Sequence, residues 1–182
     1  MSARAAVFAG QGAQFVGMGK DLAAAFPECA DLFRRADEVL GYGLSRLCFE
    51  GPSAELTRTE HCQPAIFVAS MACLTALGQG ADGGGALGMA GLSLGEWTAL
   101  HAAGAIAFDD ALRTLAARGR FMQEACEERE GGMVSVIGLP ADRIEAVCAA
   151  AGVTVANLNS PEQTVLSGER ARIREAERLA GE

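Results

Sequence analysis

The chain has 182 residues, half of them hydrophobic, and a net charge of −8 at neutral pH. This length supports one domain with a substantial core, or one domain with a small addition, and the apolar content excludes a disordered chain. The negative charge argues against nucleic acid as the main partner, because duplex binding requires a cationic surface.

The cysteines and histidines give no sign of a metal centre. The six cysteines are scattered, and there are two histidines, with none of the spacings of a zinc site or a redox pair. We therefore predict no metal and no cofactor, and interpret the cysteines as reduced, mostly buried thiols of a cytoplasmic protein. The most hydrophobic segment, residues 65–77, is shorter than the roughly 20 residues of a membrane span. No signal-peptide run precedes it, so we expect no membrane partner.

Apolar runs interrupted by glycine and proline predict a strand followed by helices in the first half of the chain. The run at residues 5–8 predicts a buried strand. Pro27 predicts the start of an amphipathic helix. After a connection over 41–51, Ser53 is expected to be the N-cap of a short helix. These elements precede the most apolar part of the sequence.

Pro64 predicts the start of a buried helix over 65–77, whose lack of a polar face places it in the middle of the domain. Residues 78–85 are rich in glycine and predict a loop. The pattern then predicts a strand over 86–91 and helices over 94–103 and 108–128.

A charged run followed by Gly131 and Gly132 predicts a domain boundary, with a first domain over 1–128 and a second over 131–182. The second has the order βαββα, which is typical of a ferredoxin-like module that lacks its last strand. Its predicted elements lie at 133–139, 140–152, 153–158, 163–168 and 169–182.

Residues 91–95, Gly-Leu-Ser-Leu-Gly, place a serine with a glycine two positions to either side. The pattern stands between a predicted strand and a predicted helix. This is the arrangement of a nucleophile elbow, a sharp turn that exposes the serine hydroxyl at a helix N-terminus that suits a developing oxyanion. A turn serine that caps the helix is the alternative, because a glycine-rich chain produces this pentapeptide by chance. Ser93 is therefore a candidate nucleophile.

A second glycine-rich turn, FAGQGAQ at residues 8–14, follows the first predicted strand. It lacks the Lys-Ser/Thr of a P-loop and the spacing of a dinucleotide-binding fingerprint. One interpretation is an ordinary turn between a strand and a helix. The functional interpretation is a backbone N–H donor close to Ser93, which would complete an oxyanion hole with the N–H of the residue after the nucleophile.

Several stretches together resemble a known family. They are FAGQGAQ, QPA at 63–65, GLSLGE around Ser93, ARGRFMQEA at 117–125 and NSPEQTVLSG at 159–168. In this order they resemble the malonyl-CoA:acyl carrier protein transacylase family of fatty-acid synthesis and the related acyltransferase domains of polyketide synthases. The resemblance covers essentially the whole chain. It implies an α/β fold, with an α/β-hydrolase-like parallel-sheet core and an incomplete ferredoxin-like (βαββα) small subdomain.

The resemblance also implies a reaction and the residues that carry it. Ser93 would attack malonyl-CoA, coenzyme A would leave, and the phosphopantetheine thiol of an acyl carrier protein would collect the malonyl group. The backbone N–H groups of Gln11 and Leu94 would form the oxyanion hole. Arg118 would bind the free carboxylate of the malonyl group, because a guanidinium binds a carboxylate with two hydrogen bonds.

Two departures from the family pattern affect these expectations. Leu92 replaces the histidine that usually precedes the nucleophile. The family's catalytic base is a histidine beyond the small subdomain, and this sequence ends at Glu182, before that region. We therefore expect the N-terminal part of a transacylase, which transfers acyl groups poorly by itself, with the base on a partner chain or a further C-terminal segment.

Neither histidine of the chain is a good substitute for that base. His101 lies eight residues after Ser93 on the same predicted helix. This is about 12 Å along the helix axis, too far for a hydrogen bond. His61 precedes the QPA motif and could lie near the site, but the family does not use it.

Two other functions remain open for this sequence. One is another serine acyl hydrolase, such as an esterase or thioesterase with the same elbow, although a hydrolase of neutral esters needs no carboxylate clamp such as Arg118. The other is a non-catalytic module that binds acyl carrier protein. Arg113, Arg118 and Arg120 could form the basic patch that an acidic carrier protein requires. Malonyl and methylmalonyl groups, and fatty-acid and polyketide pathways, are all compatible with these motifs.

Overall fold

The structure is a computed structural model that describes residues 4–78 and 88–181. These residues form two compact units, one up to Gln123 and one from Glu124 onward. The helix Phe108–Glu128 runs across this division. The domains at 1–128 and 131–182 therefore stay a prediction.

The first unit has a parallel pair of strands and helices packed against it. The strands pair with Phe8 opposite Gly91, so that both carboxyl ends lie at one edge. This confirms the predicted α/β class with a parallel sheet. Its described elements are β1 (Ala5–Phe8), α1 (Lys20–Ala25), α2 (Pro27–Leu40), α3 (Leu44–Glu50), α4 (Ser53–Thr57), α5 (Thr59–Ala76), β2 (Gly88–Gly91), α6 (Leu94–Ala102) and α7 (Phe108–Glu128).

Helix α5 lies in the core of the first unit, as its apolar sequence predicts. Its buried residues run from Cys62 to Leu74 and occupy several sides of the helix. Phe33 of α2, Leu94 of α6 and Leu112 of α7 belong to the same hydrophobic cluster. A helix that is apolar all round is stable only inside a protein, and here it positions the neighbouring elements.

The predicted start of α5 at Pro64 is wrong, because the helix begins at Thr59. The carbonyl of Arg58 accepts hydrogen bonds from the N–H groups of His61 at 2.9 Å and Cys62 at 2.8 Å, which forms the first turn ahead of the proline. Pro64 then lies inside the helix, where it cannot donate a backbone hydrogen bond. Its ring is buried in the core instead.

Two predictions on the neighbouring short segments are also wrong. Residues 41–51 contain helix α3, in which Leu44 and Cys48 bury one face. This helix is too short for its apolar period to be evident. Ser53 is the first residue of α4 and not its N-cap, because the cap position is taken by Pro52 in an extended conformation.

Strand β1 is less buried than expected. Phe8 is buried, whereas Val7 is 77% exposed, so one face of the strand packs on the core and the other faces outward. Strand β2 is described from Gly88. The predicted residues 86–87 of this strand, and residues 79–85 of the predicted loop, lie outside the described residues.

The second unit confirms the predicted βαββα order. Its sheet is antiparallel in the order β3–β5–β4, as in a split βαβ module. Its core includes Val136, Leu166 and Ile173. The elements are β3 (Gly131–Ile137), α8 (Ala141–Ala151), β4 (Thr154–Ser160), β5 (Gln163–Glu169) and α9 (Arg170–Ala180).

The cysteines are free thiols, and Cys29, Cys48 and Cys62 are buried, which is half of the six and fewer than predicted. Burial raises the pKa of the Cys48 thiol to about 12 and that of Cys62 to about 11. Both therefore stay protonated at neutral pH. No helix of the described part is long and apolar enough to cross a membrane.

Candidate active site

Ser93 occupies a strained turn at the start of α6. Its backbone has φ 56° and ψ −108°, the one positive φ among the described residues other than glycine. Such a conformation costs about 1–3 kcal/mol, and it directs the chain sharply from β2 into the helix. The Ser93 side chain makes no capping hydrogen bond to α6. Ser93 therefore occupies the N-cap position of α6 without capping the helix through its side chain.

The glycines on either side of the serine allow this turn to pack closely. A Cβ on Gly91 would lie 2.1 Å from the carbonyl carbon of Gly95, and a Cβ on Gly95 would lie 2.5 Å from the carbonyl oxygen of Phe8. Both neighbours are backbone atoms, which cannot move aside as a side chain can. Glycine is thus required at both positions, which explains the spacing seen in the sequence.

Arg118 of α7 contacts Ser93 directly. Its Nη2 donates a hydrogen bond to Ser93 Oγ at 2.8 Å, and its Nη1 donates one to Gln63 Oε1 at 2.7 Å. The next residue, Gly119, brings α7 against the start of α5, because a Cβ there would lie 2.5 Å from the carbonyl oxygen of Thr59. Close helix packing therefore positions the guanidinium beside the serine hydroxyl.

Gln63 is a site residue that the sequence analysis did not identify. Its side chain is completely buried, with Oε1 accepting from Arg118 and Nε2 facing Met122 Sδ at 3.3 Å. A buried amide needs partners, and Arg118 supplies the stronger one. An amide within a helix that is otherwise apolar is the signal that could have indicated this role.

The structure brings the loop after β1 next to the elbow. A Cβ on Gly10 would lie 3.1 Å from the carbonyl oxygen of Leu92, so the two segments are in backbone contact. Gln11 follows directly, and its Nε2 lies 3.5 Å from Thr59 Oγ1. Leu94 is the first residue of α6. The oxyanion-hole roles of Gln11 and Leu94 stay predictions.

Both histidines are engaged away from Ser93. His101 Nδ1 lies 2.9 Å from the carbonyl oxygen of Ile106, and its ring packs against Phe67 and Phe108. His61 Nδ1 lies 2.9 Å from the carbonyl oxygen of Glu55. Within the described residues, the side-chain partner of Ser93 Oγ is Arg118.

The three arginines of α7 have different partners. Arg118 turns to Ser93, Arg113 pairs with Asp110 at 3.4 Å, and Arg120 lies over the ring of Phe121 at 5.1 Å. A basic patch formed by these three arginines stays a prediction. In residues 4–78 and 88–181, no group of three or more His, Cys, Asp or Glu side chains could hold a metal ion.

This arrangement has a defined chemical capacity. An exposed hydroxyl stands on a strained turn at a helix N-terminus, where backbone N–H groups and the helix dipole favour negative charge. A guanidinium lies beside it and can bind an anion with two hydrogen bonds. The site is therefore suited to acyl transfer from a substrate that itself carries a carboxylate.

The chain belongs to the acyl transferase domain family, whose model matches residues 6–180. It is 43% identical over 187 residues to the malonyl CoA-acyl carrier protein transacylase of Bacillus subtilis, an alignment that covers 100% of this chain and 58% of that protein. The chain thus spans less than two thirds of this relative.

Solved structures share the fold. The malonyl CoA-acyl carrier protein transacylase of Clostridium perfringens has a TM-score of 0.89 at 40% identity, covering 99% of this chain and 58% of that one. A malonyl-transacylase in complex with a type II PKS acyl-carrier protein has a TM-score of 0.88 at 40% identity, covering 99% of this chain and 59% of that one. These matches confirm the fold class expected from the motifs.

Proposed function

We propose that this chain carries the nucleophile and the carboxylate clamp of an acyl carrier protein S-malonyltransferase. The observation that carries the proposal is the hydrogen bond of 2.8 Å from Arg118 Nη2 to Ser93 Oγ. It places a fixed positive charge one hydrogen bond from the attacking oxygen. A malonyl group has its thioester carbonyl and its carboxylate separated by one methylene, so both ends can engage this pair at once.

The first half-reaction acylates the serine. Ser93 Oγ forms a bond to the thioester carbonyl carbon while its proton passes to a base, and the C–S bond breaks to release coenzyme A as the thiol. The malonyl group remains as an ester on Ser93. In the second half-reaction the phosphopantetheine thiol of an acyl carrier protein attacks this ester, and Ser93 regains its proton.

The developing oxyanion has two candidate donors, the backbone N–H groups of Gln11 and Leu94. The contact between Gly10 and Leu92 and the position of Leu94 at the start of α6 support both. Each donor of this kind contributes about 3–4 kcal/mol in comparable enzymes. The family resemblance implies a histidine base. We assign this base to the C-terminal part of the relatives, which lies outside the match with this chain.

Acyl carrier protein is the proposed acceptor partner. The complex of a related malonyl-transacylase with its carrier protein supports this choice. A thioesterase is disfavoured, because a hydrolase of neutral esters has no use for the guanidinium that Gln63 and α7 hold beside the serine.

The experiment is intact-mass spectrometry of the 182-residue chain after incubation with malonyl-CoA or acetyl-CoA, beside Ser93→Ala. We expect a slow malonyl adduct on the wild type, less acetyl adduct, and no adduct on the variant. An adduct that persists on Ser93→Ala, or equal labelling by both thioesters, would contradict the proposal.

A second measurement separates transfer from hydrolysis. The acylated chain is mixed with holo acyl carrier protein, and the malonyl group is followed by mass. Appearance of malonyl carrier protein supports the transferase. Release of free malonate at the same rate with and without carrier protein would instead identify a hydrolase.

A further inference from the structure

Met122 lies beside the residue that holds the carboxylate clamp. Its Sδ accepts a hydrogen bond from Gln63 Nε2 at 3.3 Å, and Gln63 Oε1 accepts one from Arg118 Nη1 at 2.7 Å. Met122 also follows Arg118 by four residues on α7, so the two side chains lie on one face of the helix. The thioether, the amide and the guanidinium therefore form a connected series of contacts that ends at Ser93.

The contact between the thioether and the amide is sensitive to a change in the sulfur. Gln63 is completely buried, and a buried amide depends on the hydrogen-bond partners within its reach. A thioether accepts only weakly, whereas methionine sulfoxide is a polar group. The oxygen of a sulfoxide does not fit between Sδ and Nε2 at 3.3 Å, so oxidation requires Met122 or Gln63 to move.

A small oxidant can reach this sulfur. Met122 is 38% exposed, whereas Met18 and Met71 are buried. Under the proposed function a thioester enters beside Arg118, so a molecule as small as hydrogen peroxide also reaches the next turn of α7. Met133 is 60% exposed and lies in β3 of the second unit, which makes it a control for oxidation elsewhere in the chain.

We propose that Met122 is an oxidation site that controls the carboxylate clamp. A peroxide transfers one oxygen atom to Sδ, so the thioether is oxidised by two electrons to the sulfoxide while the peroxide is reduced to water. The sulfoxide displaces the Gln63 amide, and Arg118 loses its fixed acceptor. The preference for a carboxylated acyl group then falls. Methionine sulfoxide reductases reverse this modification.

The effect on selectivity rests on the proposed function, whereas the modification itself does not. Oxidation is read from the mass of a peptide, and displacement of Arg118 is read from its labelling by phenylglyoxal, which needs no substrate. An untreated chain without any preference for malonyl-CoA would contradict the proposed function. A preference that is unaffected by full oxidation of Met122 would contradict this inference alone.

The experiment treats the 182-residue chain with graded hydrogen peroxide and then with a thiol reductant, which reverses disulfides and sulfenic acids but not the sulfoxide. Tryptic cleavage after Arg120 and Arg129 gives a peptide in which Met122 is the one methionine, and the next peptide, which ends at Arg143, isolates Met133. We expect Met122 to gain one oxygen.

The same samples, in a Ser93→Ala background, give the ratio of malonyl-CoA to acetyl-CoA affinity by calorimetry. This ratio should fall roughly three- to tenfold as Met122 is oxidised, the range expected for one lost hydrogen bond to the clamp. Methionine sulfoxide reductase should restore it. Phenylglyoxal should label Arg118 faster after oxidation, because the guanidinium has lost a fixed partner.

Two leucine variants separate this site from general oxidation. Met122→Leu removes the sulfur at similar size, so its affinity ratio should be the same before and after peroxide. Met133→Leu is the matched control and should keep the full sensitivity. Four results would overturn the inference: resistance of Met122 under conditions that oxidise Met133, an unchanged ratio at full oxidation, equal sensitivity in Met122→Leu, or a loss that the thiol reductant alone reverses.

Discussion

Ser93 combines backbone strain with an unusual side-chain partner. Its positive φ of 56° is a conformation that residues with a Cβ rarely adopt. Its hydroxyl accepts from a guanidinium, whereas a histidine is the usual partner of a nucleophilic serine. Neither feature stabilises the fold, and both fit the proposed role of Ser93 as an exposed nucleophile beside a carboxylated acyl group.

The strain predicts a difference in stability between two variants of Ser93. Ser93→Gly should unfold with a free energy about 1 kcal/mol higher than Ser93→Ala, because glycine tolerates this φ and alanine does not. Urea unfolding of the two proteins measures the difference. Equal stabilities would show that the turn is not strained in solution.

Arg118 should confer selectivity for a carboxylated acyl group. In a Ser93→Ala background, which prevents turnover, Arg118→Gln should weaken malonyl-CoA binding roughly 10–100-fold, since a hydrogen bond to a charged group contributes about 1.5–3 kcal/mol. Acetyl-CoA binding should barely change. Calorimetry checks both ligands, with Arg113→Gln as the control. Parallel losses for the two thioesters would refute the assignment.

Gln63 is expected to act as a positioning residue, because it touches Arg118 and not Ser93 in the contacts described. Gln63→Leu removes the acceptor for Nη1 and should reduce the preference for malonyl-CoA over acetyl-CoA by about tenfold. Gln63→Glu keeps an acceptor and should restore most of it. A purely structural role would instead lower stability and leave the ratio of the two affinities unchanged.

At the scale of elements, the site depends on the contact between α7 and the start of α5. Gly119 lies at this contact, and the neighbouring backbone N–H of Thr59 donates to Gln123 Oε1 at 3.3 Å. Helix α7 therefore carries Arg118 and Gly119 as consecutive residues, and Gln123 about one turn later contacts the same end of α5. The position of Arg118 follows from this packing.

Gly119→Ala should destabilise the fold by about 1–3 kcal/mol, although the same change in an open helix stabilises by up to about 1 kcal/mol. The added methyl meets backbone at 2.5 Å, so α7 must shift and Arg118 with it. Thermal and urea unfolding check the sign, with Ala117→Gly as a neighbouring comparison. Stabilisation by Gly119→Ala would show that the helices are farther apart than described.

The elements were largely predictable from the sequence, and the exceptions have physical reasons. The bounds of α7 and the order of the second unit follow from strong local periodicity. The start of α5 does not follow from the sequence, because proline is common in the first turn of a helix and Pro64 therefore suggests a start there. The actual first turn forms on the carbonyl of Arg58. Ser93 and Arg118, which the motifs nominate, lie in contact in the structure, and their catalytic roles stay a proposal. Gln63 was not identified, because its role depends on two helices that meet far apart in sequence.

At the scale of the whole molecule, buried thiols and the half-buried phenol of Tyr42 link stability to pH. Burial raises the pKa values of Cys48 and Cys62, to about 12 and about 11, and burial raises the pKa of Tyr42 as well. Each group binds its proton more tightly in the folded chain than in the unfolded one. Near neutral pH these groups therefore add no pH dependence to the free energy of unfolding. As pH rises through the alkaline range they lower it.

We expect the free energy of unfolding to begin to fall near pH 9, the ordinary pKa of a thiol, and to keep falling toward pH 12. Urea titrations at several alkaline pH values in the presence of reductant check this. Cys48→Ala should flatten the dependence, whereas Cys126→Ser, at an exposed thiol, should not. A wild-type stability that is flat from pH 8 to 11 would contradict the prediction.

The close approach of Gly91, Gly95 and Phe8 has a consequence for how such a site can diversify. The nearest neighbours of Gly91 and Gly95 in this turn are main-chain atoms, so rotamer changes of surrounding side chains leave the backbone of the turn in place. Under the proposed function, side chains around the acyl group can therefore be exchanged during evolution and substrate choice can change, while the turn that carries Ser93 stays the same.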